Sequence, residues 1–236
     1  MMKRFGLSVV LVSVCWLAGC APVGDFRHLV LFKFKDDAKA ADVTAIEKQI
    51  MDMKGNISTI KTMEWGKDCS VENLQDGFTH SFLVTFPDPD GLKVYSPHAD
   101  HQAVVKALGP IKDKVIVFDY IAKEAIPPME PIITKGKLRH VVMFQFKEDA
   151  TEAQVTAVET KFRTLPASIS EIKAFECGTL IEGRGANNGL THCFMVTFDD
   201  DAGRAAYLPH PAHKEFVELL KPILEKVLVI DYIATE

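Results

Sequence analysis

The sequence has little of what defines several large protein classes. Its 27 Lys and Arg residues are outnumbered by 32 acidic residues and form no basic block, which disfavours nucleic-acid binding through phosphate neutralisation. Five scattered cysteines are too few for a disulfide scaffold. Beyond the N-terminal segment, no apolar run is long enough to cross a bilayer. What is present, 47% apolar and 25% charged residues over a length of 236, indicates a globular chain of one or two domains.

The N-terminal segment has the pattern of an export signal. Lys3 and Arg4 precede an apolar run over residues 6–17, which is too short to span a bilayer stably as a helix. The run ends in Leu17-Ala18-Gly19-Cys20, which resembles the lipobox of bacterial lipoproteins. A plain secretory signal with an incidental cysteine is the alternative interpretation.

The lipobox resemblance implies a membrane-tethered protein. Residues 1–19 would be removed, and Cys20 would be lipidated with the two or more acyl chains that anchor a protein stably. The residue after Cys20 is Ala21 and not Asp, which resembles Gram-negative signals that sort lipoproteins to the outer membrane. The expected location is therefore the cell envelope at the outer membrane, facing the periplasm or the exterior. Loss of Lys3 and Arg4 changes the net charge from −5 to −7, which disfavours anionic partners further.

The rest of the chain is a tandem repeat with a period of 112 residues. Residues 27–124 align with residues 139–236 without a gap, and 44 of the 98 aligned positions are identical. Residues 125–138 lie between the copies, contain three prolines and predict an extended linker. The predicted organisation is therefore a signal segment, a first repeat, a linker and a second repeat.

Each repeat predicts the element order β-α-β-β-α-β of the ferredoxin-like fold. The strand from His28 to Phe34 is apolar on both faces, and a capping box of Thr151 and Gln154 begins the first helix of the second repeat. Two helices, the second over Pro97–Leu108, cover one sheet face, so the other face requires a second sheet. We predict an α+β fold in which two ferredoxin-like repeats form an intramolecular dimeric α/β barrel, an internal pseudo-dimer within a monomeric chain.

Four motifs resemble the stress-responsive A/B barrel (Dabb) family. They are His-x-Val-x-Phe-x-Phe from His28, Trp65-Gly66-Lys67-Asp68, Gly77-Phe78-Thr79-His80, and Tyr207-Leu208-Pro209-His210-Pro211-Ala212-His213. The resemblance covers both repeats and implies a dimeric α/β barrel, although most members of the family have no assigned activity. A plant polyketide cyclase of this fold is similar, and its acid–base Tyr and His match Tyr95 and His101, or Tyr207 and His213.

All histidines and all tyrosines of the chain recur at matched positions of the two repeats. The pairs are His28/His140, His80/His192, His98/His210, His101/His213, Tyr95/Tyr207 and Tyr120/Tyr232. The cysteines show no such pairing. Because fewer than half of all positions are identical, this complete match marks these residues as site candidates.

His101 is the leading candidate for acid–base chemistry. With Val105 and Leu108 it occupies positions i, i+4 and i+7, which places it on the expected buried face of the second helix. A neutral imidazole accepts a proton near pH 7, and the Tyr95 hydroxyl can donate one or stabilise an oxyanion. The alternative is structural, with His101 bound to a backbone carbonyl and Tyr95 filling the barrel mouth.

The other matched histidines are candidates for ligand binding: His28, His80, His98, His140, His192 and His210. His28 and His80 begin adjacent central strands and are expected near the cavity of His101, unless they are satisfied core histidines. His98, Asp100 and His101 are spaced for a metal, but no further ligand has motif spacing. We therefore predict no metal and no other cofactor.

Two weaker patterns concern cysteine and glycine. Cys177 and Cys193 fall on adjacent predicted strands and either pair in an oxidising compartment or remain free. Gly183-Arg184-Gly185 lies between strands without a following helix, so it predicts a turn and not a dinucleotide site.

Three functions are compatible with the sequence. The first is a membrane-tethered module that binds a small apolar or aromatic ligand in its barrel pockets. The second is a cofactor-independent cyclase, isomerase or lyase that uses the Tyr/His pair. The third is a structural envelope protein that self-associates.

Overall fold

The computed structural model describes residues 24–123, 134–181 and 186–236. In the first repeat the elements are β1 (Phe26–Phe34), α1 (Ala40–Asn56), β2 (Thr62–Lys67), β3 (His80–Phe86), α2 (Asp90–Tyr95), α3 (Ala99–Leu108) and β4 (Lys112–Ile121). In the second they are β5 (Leu138–Phe146), α4 (Glu152–Ser168), β6 (Ala174–Thr179), β7 (His192–Phe198), α5 (Asp201–Tyr207), α6 (Pro211–Leu220) and β8 (Leu224–Ile233). The predicted signal segment, Cys20 and residues 125–133 of the predicted linker lie outside the described residues.

Each repeat forms a four-stranded antiparallel sheet with ferredoxin-like strand order. The orders are β2-β3-β1-β4 and β6-β7-β5-β8. The registers are also equivalent, because His28 lies opposite Asp119 and His140 lies opposite Asp231. The predicted duplicated ferredoxin-like fold is confirmed.

The two faces of each sheet belong to different cores. On one face, alternate residues such as Val30 and Phe32 pack against the helices of their own repeat. On the other face, Leu29 and Leu31 meet Val141 and Met143 from the second repeat. The apolar face that the helices leave uncovered on each sheet requires a second sheet. That second sheet is the sheet of the other repeat.

Backbone hydrogen bonds join the edge of each sheet to the other sheet. The Trp65 N–H at the β2 edge donates to the Thr235 carbonyl at 2.9 Å. On the opposite side, the Lys123 N–H donates to the Cys177 carbonyl on β6 at 2.8 Å. Partnering of otherwise open strand edges closes the barrel and removes a surface prone to aggregation.

Two glycines at matched positions of the repeats allow the other repeat's chain to approach the strand edges closely. A Cβ at Gly66 would lie 2.6 Å from the Ile233 carbonyl oxygen and 2.7 Å from Tyr232 Cβ. Gly178 faces the ring of Tyr120 in the same way. Both glycines are required because the crossing chain occupies the space of a side chain.

Two ion pairs, one largely buried and one fully buried, cross between the repeats inside the barrel. Arg27 forms a bidentate pair with Glu176, with Nε–Oε1 at 3.1 Å and Nη2–Oε2 at 2.7 Å. Arg139 Nε lies 2.9 Å from Glu64 Oε1. Each glutamate also accepts a hydrogen bond at 2.7 Å from a buried tyrosine of the other repeat. The repeats thus hold each other through charge as well as through apolar packing.

The structure corrects the helix predictions in two places. A short helix that the sequence analysis missed precedes the second long helix in each repeat, α2 and α5. Asp200 is the N-cap of α5, and its side chain accepts a hydrogen bond from the Gly203 N–H. Val105 is 48% exposed and not on the buried face of α3, which instead presents Val104 and Leu108. The capping box of Thr151 and Gln154 is confirmed.

Cys177 and Cys193 are both free, so a disulfide between them is excluded in this structure. The β6–β7 register places Cys193 opposite Gly178, one residue along from Cys177. Successive residues of a strand point to opposite faces. Cys177 accordingly packs under the helices, and Cys193 packs between the sheets. Burial raises the pKa of the Cys177 thiol to about 11.

No helix within the described ranges has the length and apolar character needed to cross a membrane.

Candidate functional site

The first repeat contains a cavity of about 280 Å³ between its sheet and the helices α1 and α3. Its lining is mainly apolar: Val30, Phe32, Ile50, Met53, Phe82, Val84, Val104, Val105, Leu108, Val115 and Val117. The polar residues in the lining are His28, Tyr95, His101 and Lys112. This cavity therefore lies beneath the helices of one repeat and not between the two sheets.

Three of the predicted site residues meet at one end of this cavity. The ring centroids of Tyr95 and His101 are 4.4 Å apart, and those of Tyr95 and His28 are 5.5 Å apart. His28 Nδ1 lies 2.7 Å from Asp119 Oδ1, so the carboxylate on β4 orients the imidazole on β1. The strand register brings these two side chains together, because His28 and Asp119 are direct partners.

His101 is held in one tautomer by the turn before α3. Its Nδ1 lies 2.9 Å from the Ser96 carbonyl oxygen, which can only accept, so Nδ1 carries the proton and donates. Nε2 then carries the lone pair. Burial lowers the pKa of His101, with the neighbouring His28 acting in the same direction. The neutral ring is therefore a base at neutral pH.

Tyr95 retains its phenolic proton in this setting. Its residue is only 4% exposed, and its hydroxyl has no hydrogen-bond partner among the described residues. Burial raises the pKa of Tyr95 well above its usual value, and the negative charge of Asp119 adds to the shift. The hydroxyl is thus a neutral donor on a ring that packs against the ring of His101. A base and a donor side by side in an apolar cavity suit the removal of a carbon-bound proton next to a carbonyl group.

The second repeat has the same Tyr, His and Asp groups. His140 Nδ1 lies 2.7 Å from Asp231 Oδ1, and His213 Nδ1 donates to the Leu208 carbonyl at 3.0 Å. The fully buried Tyr207 lies beside His213, with ring centroids 4.2 Å apart. The Tyr207 hydroxyl is buried and has no hydrogen-bond partner in the described parts of the chain.

Aromatic rings occupy the corresponding volume of the second repeat. Phe162 stands where the first repeat has Ile50, and Phe216 stands where it has Val104. The two rings pack with centroids 4.9 Å apart. Phe162 also packs against Phe194 at 4.3 Å. The chain thus combines one open site with one filled site.

Each site borders a loop from the opposite repeat. The Cys69 N–H of the first repeat donates to the Asp231 carbonyl at 2.8 Å, and Ser70 Oγ accepts from the Asp231 N–H at 2.7 Å. Arg204 donates to the Cys69 carbonyl at 2.8 Å and to Asp231 Oδ2 at 2.6 Å. The loop that follows β2 is therefore fixed against the site of the second repeat.

The reciprocal loop reaches the open site. The Ile181 N–H donates to the Asp119 carbonyl at 2.8 Å, and the Ala186 carbonyl accepts from the Val117 N–H at 3.1 Å. Gly183-Arg184-Gly185 lies between these anchors but outside the described residues. Sequence analysis missed this exchange of loops.

The remaining predicted histidines lie outside the cavity lining. His98 and His210 cap α3 and α6, each accepting a backbone N–H two residues ahead. His80 is bonded at both nitrogens, at 2.8 Å to Thr79 Oγ1 and at 3.0 Å to Glu47. His192 lies 3.7 Å from Glu159, the counterpart of Glu47.

Sequence reasoning also missed two polar residues of the site, Asp119 and Lys112. For Asp119, the available signal was its recurrence at the matched position of the second repeat, Asp231. Among the described residues, no three His, Cys, Asp or Glu side chains converge as metal ligands.

Comparison with known proteins gives concordant matches for both repeats. The family model described as "Stress responsive A/B Barrel Domain" matches residues 26–122 and again residues 138–234. A stress-response A/B barrel domain-containing protein of Arabidopsis thaliana is 38% identical over 96 residues, which is 40% of this chain and 84% of that protein. Olivetolic acid cyclase of Cannabis sativa is 29% identical over 98 residues, which is 42% of this chain and 97% of the cyclase.

A solved structure extends the similarity to the whole barrel. The crystal structure of an anthrone oxidase-like protein superposes with a TM-score of 0.65 and covers 90% of this chain and 92% of that one. At 13% identity the similarity concerns the fold.

Proposed function

The chain belongs to the stress-responsive A/B barrel family, and we propose that its first repeat binds a small, largely apolar molecule in the cavity beneath α1 and α3. The observation that carries this proposal is the contrast between the repeats. Both keep the same Tyr, His and Asp groups, but Phe162 and Phe216 pack together in the second repeat where Ile50 and Val104 line the cavity of the first. A concave, mostly apolar pocket with a few convergent polar groups is the usual form of a small-molecule site.

Filling the cavity is expected to abolish binding without unfolding the protein. Ile50→Phe combined with Val104→Phe introduces the side chains that the second repeat has at Phe162 and Phe216. The affinity for 1-aminoanthracene, a neutral aromatic probe, should fall at least tenfold, because the rings occupy the ligand volume. Fluorescence titration measures the affinity, and circular dichroism checks the fold.

A matched control is Val94→Phe, which adds a ring at a half-exposed position outside the cavity lining. It should leave the affinity unchanged. Equal binding by the wild type and the filled variant would refute the cavity as the site. A folded wild type that binds no apolar probe would favour the structural, self-associating alternative.

A second candidate function is acid–base catalysis at the same site. It is favoured by the fixed tautomer of His101, whose Nε2 lies on the side of the ring opposite the bond to Ser96. In the proposed step, Nε2 takes a proton from a carbon next to a carbonyl, and the electron pair moves onto the carbonyl oxygen. The Tyr95 hydroxyl donates a hydrogen bond to that oxygen. Similarity to olivetolic acid cyclase, a cyclase by its name, supports this candidate.

We also propose that the mature chain is lipid-anchored to the cell envelope through Cys20. The support is the Leu17-Ala18-Gly19-Cys20 segment after a basic start and an apolar run. Mass spectrometry of the protein expressed in a Gram-negative host should show an acylated N-terminal Cys20. Cys20→Ala should release the protein from the membrane fraction, while Cys15→Ala should leave it there. Membrane association that survives Cys20→Ala would contradict the anchor.

A further inference from the structure

The cavity of the first repeat has a cation at the end remote from its Tyr/His cluster. Along the β1–β4 pair, His28 lies opposite Asp119, whereas Lys112 lies opposite Phe34. Six residues of strand separate His28 from Phe34, which corresponds to about 20 Å. The cavity lining thus has the acid–base groups at one end and an ammonium group at the other.

The charge of Lys112 has no carboxylate partner within the described ranges, unlike the charges of the lysines around it. Lys33 pairs with Asp113 at 3.0 Å, and Lys114 lies 3.3 Å from Asp76. Lys112 is half-buried at the start of β4 and borders the cavity. It is therefore a free cation at an apolar site.

The second repeat supports a link between this cation and the open cavity. Its residue at the position of Lys112 is Leu224, which packs against the aromatic core of that repeat. The repeat with the filled volume thus has an apolar residue where the repeat with the open volume has a cation.

The electrostatics of the two ends set the orientation of an anionic ligand. At the Tyr/His end, the buried carboxylate of Asp119 would repel a second negative charge. At the other end, Lys112 is half-buried, so a carboxylate paired with it stays partly hydrated. Pairing there avoids the large desolvation cost of a buried ion.

We infer that the ligand is an apolar molecule with one terminal carboxylate, which pairs with Lys112 while the apolar body extends toward Tyr95 and His101. This inference rests on the proposed binding function and specifies its ligand class. Lys112 is the residue that selects the anionic end.

The test compares decanoate with its neutral analogue decanol. Wild-type protein should bind decanoate about tenfold more tightly than decanol, because a charge-assisted hydrogen bond forms only with the acid. Lys112→Leu, which introduces the residue of the second repeat, should remove this preference and leave decanol affinity unchanged. Lys112→Arg, which keeps the positive charge, should retain the preference. Displacement of 1-aminoanthracene measures all affinities.

The possible outcomes distinguish failure of the anionic ligand class from failure of the proposed binding function. If wild type binds 1-aminoanthracene in the cavity but does not prefer decanoate, or if Lys112→Leu keeps the preference, the anionic ligand class is wrong and the binding function stands. If neither 1-aminoanthracene, decanol nor decanoate binds the folded wild type, both fail. Lys93→Leu, a change at an exposed lysine outside the lining, controls for overall charge.

Discussion

Glu176→Ala is expected to lower the free energy of unfolding by about 3–5 kcal/mol, because removing one partner of a buried ion pair leaves the other charge uncompensated. Glu176 accepts two hydrogen bonds from Arg27 and one at 2.7 Å from the Tyr120 hydroxyl, whereas the nearest other carboxylate to Arg27, that of Asp25, lies at 3.9 Å. The variant would leave these three donor groups without their acceptor. Urea denaturation at pH 7, followed by circular dichroism, measures the loss.

A surface pair provides the control for this effect. Glu215 lies 2.6 Å from Lys161, but its side chain is 66% exposed, so Glu215→Ala should cost no more than about 1 kcal/mol. Glu64→Ala, at the related position of the first repeat, should behave like Glu176→Ala because it strands Arg139. Equal, small losses for Glu176 and Glu215 would show that the central network does not hold the repeats together.

The same network makes stability depend on pH in the acidic range. Burial alone would raise the pKa of Glu176, but the charges of Arg27 and Arg139 and the hydrogen bonds from Arg27 and Tyr120 lower it below its usual value. A carboxyl whose folded-state pKa is lowered stabilises the protein above its unfolded pKa, near 4.5. This stabilisation is lost as the pH falls below that value, and Glu176→Ala should remove this part of the acid sensitivity.

If the chain is an acid–base enzyme, His101→Gln should lower the catalysed rate by about 10²–10⁴-fold. Glutamine can still donate to the Ser96 carbonyl through its amide, but it has no basic nitrogen to accept a proton. The measurement is hydrogen–deuterium exchange at the α-carbon of propiophenone, followed by NMR. His213→Gln is the matched control in the filled repeat and should leave the rate unchanged.

The pH profile adds an independent check of the base. Because burial lowers the pKa of His101 below 6.5, the catalysed rate should rise with pH through that lowered value and stay level above it. A rate that rises only above neutral pH would assign the base to another group. Absence of catalysed exchange in the wild type would leave ligand binding as the better account of the site.

Most of the fold could be predicted from the sequence, because the fold depends on patterns of polar and apolar residues. Strand alternation at His28–Phe34 and its repetition after 112 residues are enough to predict two sheets and their face-to-face packing. The short helix α2 escaped prediction because six residues are too few to show a helical period. Its available signal was Asp88, whose side chain accepts hydrogen bonds from the next turn.

The site was only partly predictable, because it depends on volume and on long-range contacts. Val104 and Phe216 are both apolar and both occupy the buried face of a helix, yet one leaves a cavity and the other fills it. Polarity patterns do not distinguish these outcomes. The contact between Cys69 and Asp231 joins residues far apart in the chain, and no local signal encodes it.

The covalent fusion of the two repeats has a consequence for how this site can evolve. In a symmetric homodimer every substitution appears twice, so a phenylalanine that closes one cavity closes both. In the fused chain, Phe162 and Phe216 fill the core of one half, while Ile50 and Val104 line a cavity in the other half. The closed half still lends its loop and its central glutamate to the open half. After duplication, one copy can therefore be packed for stability while the other keeps its cavity, a combination that two identical subunits cannot have.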